Sequence, residues 1–495
     1  MANFDLSMLA LKSVCPNNTI EVDDTDLPSV LVYIPAFKNS DVLTGGNDST
    51  HPAFIVNGVQ IPGFYYSKYQ NVVHAAINAE GYNVTAAYSL PGEDPAANID
   101  FDTSRARCEA KGHGWHLSTN AEWAAIALWC KKNGFMPYGN NNYGKDTRES
   151  NYKAIPKYKD SSGKTCRVAT GTGPLTWSHD KTLSGIWDLN GNVWEWQGGI
   201  RFVWGELQIL ANNDAADPDN PQNETSVCWK AINAADGSLV DPECTVSGSA
   251  KLSGNTVKLD YVSGKWTYST TISSLADQSR SCLFASVACT AAIGAATKVL
   301  LRSLALLPDE GADEADYEGD YYWLNNGVAE RCVIRGGGWN NGAGAGVFCF
   351  NGNYSRASVS WSVGFRSALI RYSGDSGDLD NLDGKDGKQT DEPREETAAP
   401  SFDALPGPVQ LPTLVRLILA RQLTVLYEAA GGKDPEGFKR IANTATDKEL
   451  QQAAALSLSL SQVNAAVELY RNVSQQLKIA NTLTLTIGKE AADHE

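Results

Sequence analysis

Residues 185–196 read GIWDLNGNVWEW, and this stretch decides the fold. It contains Trp187, Trp194 and Trp196, and side chains of this size supply much of the apolar area that a core buries. Gly191 suits a turn that needs a positive φ or a close backbone approach. The stretch therefore predicts a tight turn that buried tryptophans hold in place.

Three more segments lie outward from this turn: CEAKGHGWHLSTNAEW at 108–123, VIRGGGW at 333–339 and VGFR at 363–366. In the first, a Ser-Thr start signal precedes apolar residues at helical spacing, which predicts an amphipathic helix over residues 120–131 packed on a sheet. Earlier in the chain, the apolar run at 29–35 predicts a strand.

Taken in chain order, the four segments resemble the motifs RLPTEAEW, GLYDMxGNVWEW, VxRGGSW and GFR of the formylglycine-generating-enzyme family, a branch of the C-type lectin fold. The match at 185–196 is nearly complete. The resemblance covers roughly residues 29–372. It implies an α+β fold class, with a C-type-lectin-like domain of the formylglycine-generating-enzyme type that carries a large insertion.

The chain has 495 residues, a length that favours about three units. We predict an N-terminal segment over 1–28, the lectin-like domain over 29–372 with its insertion at 205–322, a linker over 373–408 and a helical C-terminal region over 409–495. The linker is rich in Gly, Asp, Pro and Glu. The apolar seam of the C-terminal helices pairs either within the chain or with another copy.

Charge and hydropathy exclude two classes of partner. The formal net charge is -16 with no Lys/Arg-rich stripe, which excludes nucleic acid and anionic membrane surfaces as partners. The apolar stretch at 283–297 is too short for membrane insertion and predicts a buried helix. The N-terminus lacks the features of a signal peptide, and the ten cysteines include no CxxC pair, so we expect cytoplasmic synthesis and reduced, structural thiols.

The resemblance brings no catalytic residues with it. The family's oxidases use two cysteines shortly after the RGGS segment, and the corresponding positions here hold Asn341 and Gly346, leaving only Cys349 nearby. One thiol does not make a two-ligand copper site. The six histidines form no HxxxHxE arrangement for iron. We therefore expect no enzyme, no copper and no iron; a divergent oxidase that uses Cys349 is the alternative.

Another branch of this fold comprises the variable proteins of diversity-generating retroelements, in which adenine-directed mutagenesis changes Asn codons between an RGG-Trp segment and a GFR segment. Residues 338–362 resemble such a variable region. They contain five Gly, four Asn, four Ser, five aromatic residues and one charged residue, Arg356, a composition typical of antibody-like binding surfaces. They contain no Lys, Glu, Gln or Met, residues that an altered AAC or AAT codon does not produce.

The resemblance implies a set of diversified, solvent-facing positions. Eight residues belong to this set, with Trp361 beside them as a fixed or differently templated position: Gly338, Gly344, Cys349, Gly352, Tyr354, Ser358, Ser360 and Ser362. Asn341, Asn351 and Asn353 are either unmutated copies or scaffold. The alternative is a Gly/Ser-rich loop without a partner, but exposed aromatic residues in a charge-poor strip favour a ligand-binding surface.

Relatives of the fold bind calcium at the GNVWEW loop. Carried over by position, the ligands are the carboxylates of Asp188 and Glu195 and the carbonyl oxygens of Gly191 and Val193, an all-oxygen set that suits structural Ca²⁺. The alternative is that Glu195 forms a salt bridge or hydrogen bonds inside the loop.

The sequence as a whole predicts a hypervariable ligand-binding protein, the receptor-binding protein of a phage or prophage. Its expected partners are a host-surface protein or glycan and, through the C-terminal helices, other virion proteins or further copies of itself. Its expected location is the virion, at the phage tail, or the host cytoplasm before lysis. The alternatives are the divergent oxidase and a purely structural virion or assembly protein.

Overall fold

A computed structural model describes Cys15 and residues 17–151 and 154–371. Residues Asn17–Ile370 form one compact unit. The predicted linker at 373–408 and the predicted helical region at 409–495 lie outside the described residues. Within the described part of the chain, no helix is long and apolar enough to span a membrane.

The unit is mostly β-sheet with few helices. Its strands are β1 Asn18–Val22, β2 Pro28–Pro35, β3 Ile55–Val56, β4 Val59–Gln60, β5 Gly63–Ser67, β6 Val72–Ile77, β7 Asn83–Tyr88, β8 Trp115–Leu117, β9 Trp194–Val203, β10 Glu206–Ile209, β11 Lys230–Ile232, β12 Leu239–Val240, β13 Ser253–Val262, β14 Lys265–Thr271, β15 Arg280–Leu283, β16 Ala288–Cys289, β17 Tyr321–Leu324, β18 Arg331–Arg335, β19 Phe350–Tyr354, β20 Val363–Phe365 and β21 Ser367–Leu369. Its α-helices are α1 Asn39–Val42, α2 Phe101–Glu109, α3 Asn120–Lys132 and α4 Ala295–Ser303.

The smaller main sheet joins both ends of the unit, in the strand order β1-β2-β5-β21-β8. The strand predicted at 29–35 is β2, and β1 pairs with it antiparallel from Asn18 opposite Val32 to Val22 opposite Pro28. The paired structure therefore begins before residue 29, where the domain was expected to start. The last strand, β21, lies between β5 and β8, so the chain closes the sheet directly after the VGFR segment.

The larger sheet has twelve strands, with the path β15-β17-β19-β18-β9-β10-β13-β14-β16 and with β11, β12 and β20 off this path. Strand β9, which begins in the GNVWEW segment, pairs with β10, β18 and β20. Residues 205–322 contribute β10 to β16 and the start of β17, so the predicted insertion widens this sheet.

The prediction of a helix over residues 283–297 is wrong. The stretch begins at the end of β15, continues through a short 3₁₀ turn, Phe284–Ser286, and β16, and becomes helical only at Ala295, the first residue of α4. Gly294 marks the change because a Cβ there would lie 1.8 Å from the carbonyl oxygen of Ala235. The small residue at position 294 is therefore explained by close backbone approach. The small apolar residues of this stretch do not indicate a continuous helix.

The predicted helix at 120–131 is confirmed as α3, one residue longer. Its first turn is a capping box: the amide of Glu122 donates to Thr119 Oγ1 over 3.2 Å, and the amide of Thr119 donates to Glu122 Oε2 over 3.0 Å. The indole N–H of Trp123 donates to the carbonyl oxygen of Val347 over 2.7 Å. The helix is thus fixed to the chain that leads into β19.

The hydrophobic core brings the four sequence motifs together. Leu117, Trp196, Ile334 and Phe365 belong to one buried cluster, and each comes from a different one of the four segments. The indole N–H of Trp196 donates to the carbonyl oxygen of Ile99 over 2.9 Å, so this buried polar group is satisfied. The motifs are chiefly framework, and residues 338–362 run across that framework between β18 and β20.

Candidate recognition surface in residues 338–362

The candidate site begins at a fully buried arginine at the end of β18. Arg335 donates to Asn120 Oδ1 from Nε over 3.1 Å and from Nη2 over 2.8 Å, and to the carbonyl oxygen of Ala305 over 3.0 Å. Its guanidinium lies 4.6 Å from the ring centroid of Phe350, and burial lowers its pKa to about 10. Arg335 therefore ties the start of the candidate site to α3 and to residues from the insertion.

Residues 338–352, called the inner half below, contain three predicted solvent-facing positions that lie in the interior: Gly338, Cys349 and Gly352. A Cβ on Gly352 would lie 2.2 Å from Leu324 Cδ1. The prediction of solvent-facing positions fails at these three residues. Gly352 lies in β19, which is covered by β17 and β18 on either side, a Cβ on Gly338 would lie 3.2 Å from Trp194 Cδ1, and Cys349 belongs to the buried core cluster.

The first turn of the inner half is partly exposed but closely packed. A Cβ on Gly344 would lie 3.3 Å from ring atoms of Trp323 and Tyr321, which leaves little room for a side chain. Asn341 Oδ1 accepts a hydrogen bond from the amide of Gly338 over 2.8 Å. This contact favours a scaffold role for Asn341.

Residues 353–362, called the outer half below, carry the remaining predicted positions at the surface. Tyr354, Ser358, Ser360 and Ser362 are partly exposed, and 43% of Trp361 is exposed. The Tyr354 ring packs edge-on against Trp196, with 6.2 Å between ring centroids. Tyr354 therefore joins the core to the surface, whereas the three serines and Trp361 border solvent.

The other asparagines of the region differ in surroundings. Asn351 is buried in the inner half, and its Oδ1 accepts from the amide of Asn353 over 2.9 Å. Asn353 Nδ2 donates to Ser279 Oγ over 2.8 Å, so both amide side chains take part in local structure.

Main-chain hydrogen bonds fix the outer half. The carbonyl oxygen of Ser360 accepts from the amide of Asn98 over 2.8 Å, and that of Ser362 accepts from the amide of Trp194 over 2.8 Å. The carbonyl oxygen of Trp361 accepts from Arg167 Nη1 over 3.0 Å. These three contacts use only main-chain oxygens of the strip. Side chains contribute as well, because Ser358 Oγ accepts from the amide of Ser355 over 3.0 Å and Ser360 Oγ accepts from the amide of Ser362 over 3.3 Å.

Trp361 belongs to an aromatic cluster at this surface. Its ring lies edge-to-face with buried Trp339, at 5.1 Å between centroids, and with Tyr158, at 5.7 Å. Tyr158 is 38% exposed, so two aromatic rings reach solvent side by side. The sequence analysis missed Tyr158, although the turn sequence DSSG at 160–163 between short polar runs signals the loop that carries it.

An ion pair supports this cluster. Arg167 donates to Asp94 Oδ1 from Nε over 2.8 Å and to Oδ2 from Nη2 over 2.9 Å, a bidentate geometry that fixes the guanidinium. The same guanidinium lies 4.5 Å from the ring centroid of Tyr158. One arginine thus positions Tyr158 through its ring and Trp361 through its carbonyl group. Asp94 and Arg167 are far apart in the sequence, so no local pattern predicts this contact.

The one charged residue within residues 338–362 forms ion pairs below the surface. Arg356 is largely buried and donates to Glu330 Oε1 from Nη2 over 2.9 Å and to Asp102 Oδ1 from Nη1 over 2.8 Å. The outer half therefore presents hydroxyl groups and aromatic rings, with its own charge neutralised beneath them.

The predicted calcium ligands converge, but an amide nitrogen lies at their centre. Gln70 Nε2 donates toward the carbonyl oxygens of Asp188 at 3.2 Å, Gly191 at 3.3 Å and Val193 at 2.8 Å, and toward Glu195 Oε1 at 2.9 Å. Asp188 contributes its main-chain oxygen to this set in place of the expected carboxylate. The oxygen atoms that would surround an ion surround the NH₂ group of Gln70.

The neighbouring contacts hold that arrangement. Gln70 Oε1 accepts from Asn192 Nδ2 over 2.9 Å, Glu195 Oε2 accepts from Arg366 Nε over 2.7 Å, and Asp188 Oδ2 accepts from the amide of Gly171 over 2.7 Å. Burial raises the pKa of Glu195, and Arg366 offsets part of this effect. In this arrangement the residues do not fit Ca²⁺, because an ion would have to displace the Gln70 amide. Among the described residues, no group of three or more His, Cys, Asp or Glu side chains is placed to hold a metal.

The remaining thiol of the oxidase alternative is poorly placed for chemistry. Cys349 is 0% exposed, and burial, together with the nearby Asp320 carboxylate, raises its pKa well above the ordinary value. At Gly346, where the family has a second cysteine, a Cβ would lie 2.0 Å from Asp320 Oδ1. The thiol is therefore protonated at neutral pH, and the second position has no room for a side chain.

Comparison with known proteins finds weak structural similarity. No family model matches this chain, and no curated protein matches it. Solved structures similar to it include Major Tropism Determinant P3c Variant and Major Tropism Determinant U1 Variant, each at 10% sequence identity and each covering 71% of this chain and 71% of the other. Their TM-scores are 0.23 and 0.22, values too low to assign a fold or a function.

Proposed function

We propose that this chain is a hypervariable ligand-binding protein, the receptor-binding protein of a phage or prophage, and that it recognises a host-surface molecule through its outer half. The observation that carries the proposal is the exposed pair Trp361 and Tyr158 beside a strip of serines, held on a framework by main-chain hydrogen bonds. Aromatic anchors within an otherwise adaptable polar surface are typical of recognition sites.

The structure supports a smaller recognition surface than the sequence predicts. Ser358, Ser360, Trp361 and Ser362 reach solvent, and Tyr158 joins them from a distant part of the sequence. The inner half supplies the support beneath them. We therefore propose that diversification that affects binding concentrates in residues 354–362.

Two observations disfavour the alternative functions. The buried, protonated Cys349 thiol and the filled space at Gly346 disfavour the divergent oxidase. A purely structural virion protein has no need for two aromatic rings held at the surface by a partly exposed ion pair, whereas a binding protein uses them as preorganised anchors. We further propose that the chain is a virion component and that residues 409–495 attach it to other virion proteins or to further copies.

The first test is genetic. The sequence around the gene should contain a template repeat and a reverse-transcriptase gene, and independent copies of the gene should differ at Tyr354, Ser358, Ser360 and Ser362 while keeping Cys349 and Gly352. Copies that vary equally at Cys349 and Gly352 would contradict the proposed division of the region. Absence of both genetic elements would remove the diversification hypothesis.

The second test measures recognition directly. Full-length protein is assayed for binding to a panel of bacterial strains, and Trp361→Ala is compared with the wild-type protein on the strain that binds. The loss of one aromatic anchor should weaken binding by about 30-fold, equivalent to about 2 kcal/mol. Val59→Ala is the matched control, because Val59 is 64% exposed and lies outside both this surface and residues 205–322. Wild-type-like binding by both Trp361→Ala and Val59→Ala would place recognition elsewhere, for example on residues 205–322.

A further inference from the structure

A second candidate site lies away from residues 338–362. A cavity of about 500 Å³ opens between β2 and α3, and none of the residues that line it belongs to the inner or outer half. A volume of this order accommodates a small organic molecule. The recognition surface therefore does not account for this cavity.

The walls of the cavity are largely apolar and well supported. Val42 and Ile126 are buried, and Phe37 and Trp129 add two aromatic rings. The Phe37 ring packs edge-on against Phe54 with 4.8 Å between centroids. These contacts hold the walls in place, and aromatic walls favour an aromatic ligand through edge-to-face and offset-stacked packing.

His179 supplies a hydrogen-bond donor to the cavity. Its Nδ1 accepts from the amide of Ile186 over 2.9 Å, which places the ring proton on Nε2. His179 lines the cavity, and across residues 17–151 and 154–371 its Nε2 atom forms no hydrogen bond. Burial lowers the pKa of His179 to about 4, so the ring is a neutral donor at neutral pH.

The charged groups at the rim disfavour an anionic ligand. Asp41 and Asp180 line the cavity together with one cation, Lys132. Asp41 Oδ2 accepts from the amide of Lys38 over 2.8 Å, and Asp180 Oδ1 accepts from the amide of Thr182 over 2.8 Å. The two carboxylates and one ammonium group give the lining a net negative formal charge.

We propose that this cavity binds a small, uncharged aromatic molecule with a carbonyl oxygen, the ring packing against Phe37 and Trp129 and the oxygen accepting from His179 Nε2. The apolar walls select the ring, the His179 Nε2–H group supplies a donor for the acceptor oxygen, and the net negative charge of the lining disfavours the carboxylate analogue. The proposal does not depend on the recognition surface, and either can fail without the other.

The test uses three matched probes in isothermal titration calorimetry with the full-length chain: acetophenone, ethylbenzene and benzoate. Acetophenone should bind. Ethylbenzene, which lacks the acceptor, should bind about fivefold more weakly, because one neutral hydrogen bond contributes about 1 kcal/mol. Benzoate should bind more weakly than acetophenone. Equal affinities for acetophenone and ethylbenzene, or tighter binding of benzoate, would overturn the assigned ligand chemistry.

Variants that fill the cavity locate the site. Ala36 is partly exposed and Asn133 is exposed, and both line the cavity. Ala36→Trp and Asn133→Trp should each weaken acetophenone binding at least tenfold. The control Ala79→Trp changes an exposed alanine outside both the cavity and the outer half and should leave binding unchanged. Because Asn133 is at the surface, its substitution keeps the test valid if Ala36→Trp impairs folding. Unchanged binding by Asn133→Trp, or no binding of acetophenone to the wild-type protein, would overturn the site.

Discussion

The inner and outer halves of residues 338–362 are both rich in small residues, with five Gly in the inner half and four Ser in the outer half, but they have opposite surroundings. At Gly344, Gly346 and Gly352 of the inner half, a Cβ would crowd or overlap neighbouring side chains, as at Gly352 beside Leu324. Serines of the outer half border solvent, and the carbonyl groups of Ser360 and Ser362 accept hydrogen bonds that hold the backbone. A small residue in this region therefore has two explanations: these three glycines are restricted by their neighbours, and the serines border solvent.

The sharpest test of this comparison introduces the same large side chain into each half. Gly352→Tyr should prevent stable folding, because its Cβ alone overlaps Leu324 and overpacking a full core commonly costs about 3 kcal/mol or more. Ser362→Tyr should stay within about 0.5 kcal/mol of the wild-type protein. Urea denaturation monitored by circular dichroism measures both. Similar stabilities for the two variants would contradict the division into halves.

The contact between the inner half and the Asp320 carboxyl group should make the stability of the protein depend on pH. Asp320 accepts from the amide of Phe348 over 2.7 Å, and burial raises its pKa to about 7 from an ordinary 3.8, partly offset by that amide and by the Arg148 charge. The folded state thus holds an extra proton between about pH 4 and pH 7, and the free energy of unfolding should fall as pH rises through this interval, by on the order of 4 kcal/mol.

Asp320→Asn isolates this effect, because an amide does not titrate and retains one acceptor for the Phe348 amide. The difference in unfolding free energy between variant and wild-type protein should change between pH 4 and pH 8. Parallel pH profiles for the two proteins would show that Asp320 is ionised throughout.

The GNVWEW loop supports the inner half, since the amide of Trp339 donates to the carbonyl oxygen of Asn192 over 3.2 Å. Gln70→Leu should lower the free energy of unfolding by about 2 kcal/mol, because it leaves several buried oxygens without a donor. The wild-type melting temperature should not change when EGTA is added. A decrease with EGTA that calcium reverses would establish a metal in place of the Gln70 amide.

The smallest expected effect lies at the boundary between the halves. Tyr354→Ala should lower the free energy of unfolding by about 2 kcal/mol, because its ring packs on Trp196. Trp361→Ala should lower it by less than about 1 kcal/mol while weakening binding more strongly. Equal losses of stability would mean that Trp361 belongs to the core as much as Tyr354 does.

The sequence predicts the framework better than the surface. The helix at 120–131 follows from periodicity and its start signal, and the tryptophans of residues 185–196 are buried as expected. The burial of Cys349 and Gly352 depends on β17, which contains the end of the predicted insertion and pairs with β19 in parallel. The spacing of residues within 338–362 does not predict that β17 pairs with β19.

Contacts between residues far apart in the sequence account for the other differences between the predictions and the structure. Gln70 reaches the GNVWEW loop from a distant strand connection, and Tyr158 and Arg167 reach Trp361 from another loop. Each contact joins parts of the chain that no local pattern connects. The convergence of oxygen atoms in the GNVWEW loop was predictable from the family motif, but the amide group at their centre was not.

The main-chain hydrogen bonds at Ser360, Trp361 and Ser362 have a consequence for evolution. Every amino acid supplies the same carbonyl group, so a mutation at these positions replaces the chemical surface and keeps the anchoring bonds. Many descendants of one gene would then share a single backbone and nearly the same probability of folding. New binding specificities would be available to selection without a compensating mutation elsewhere in the chain.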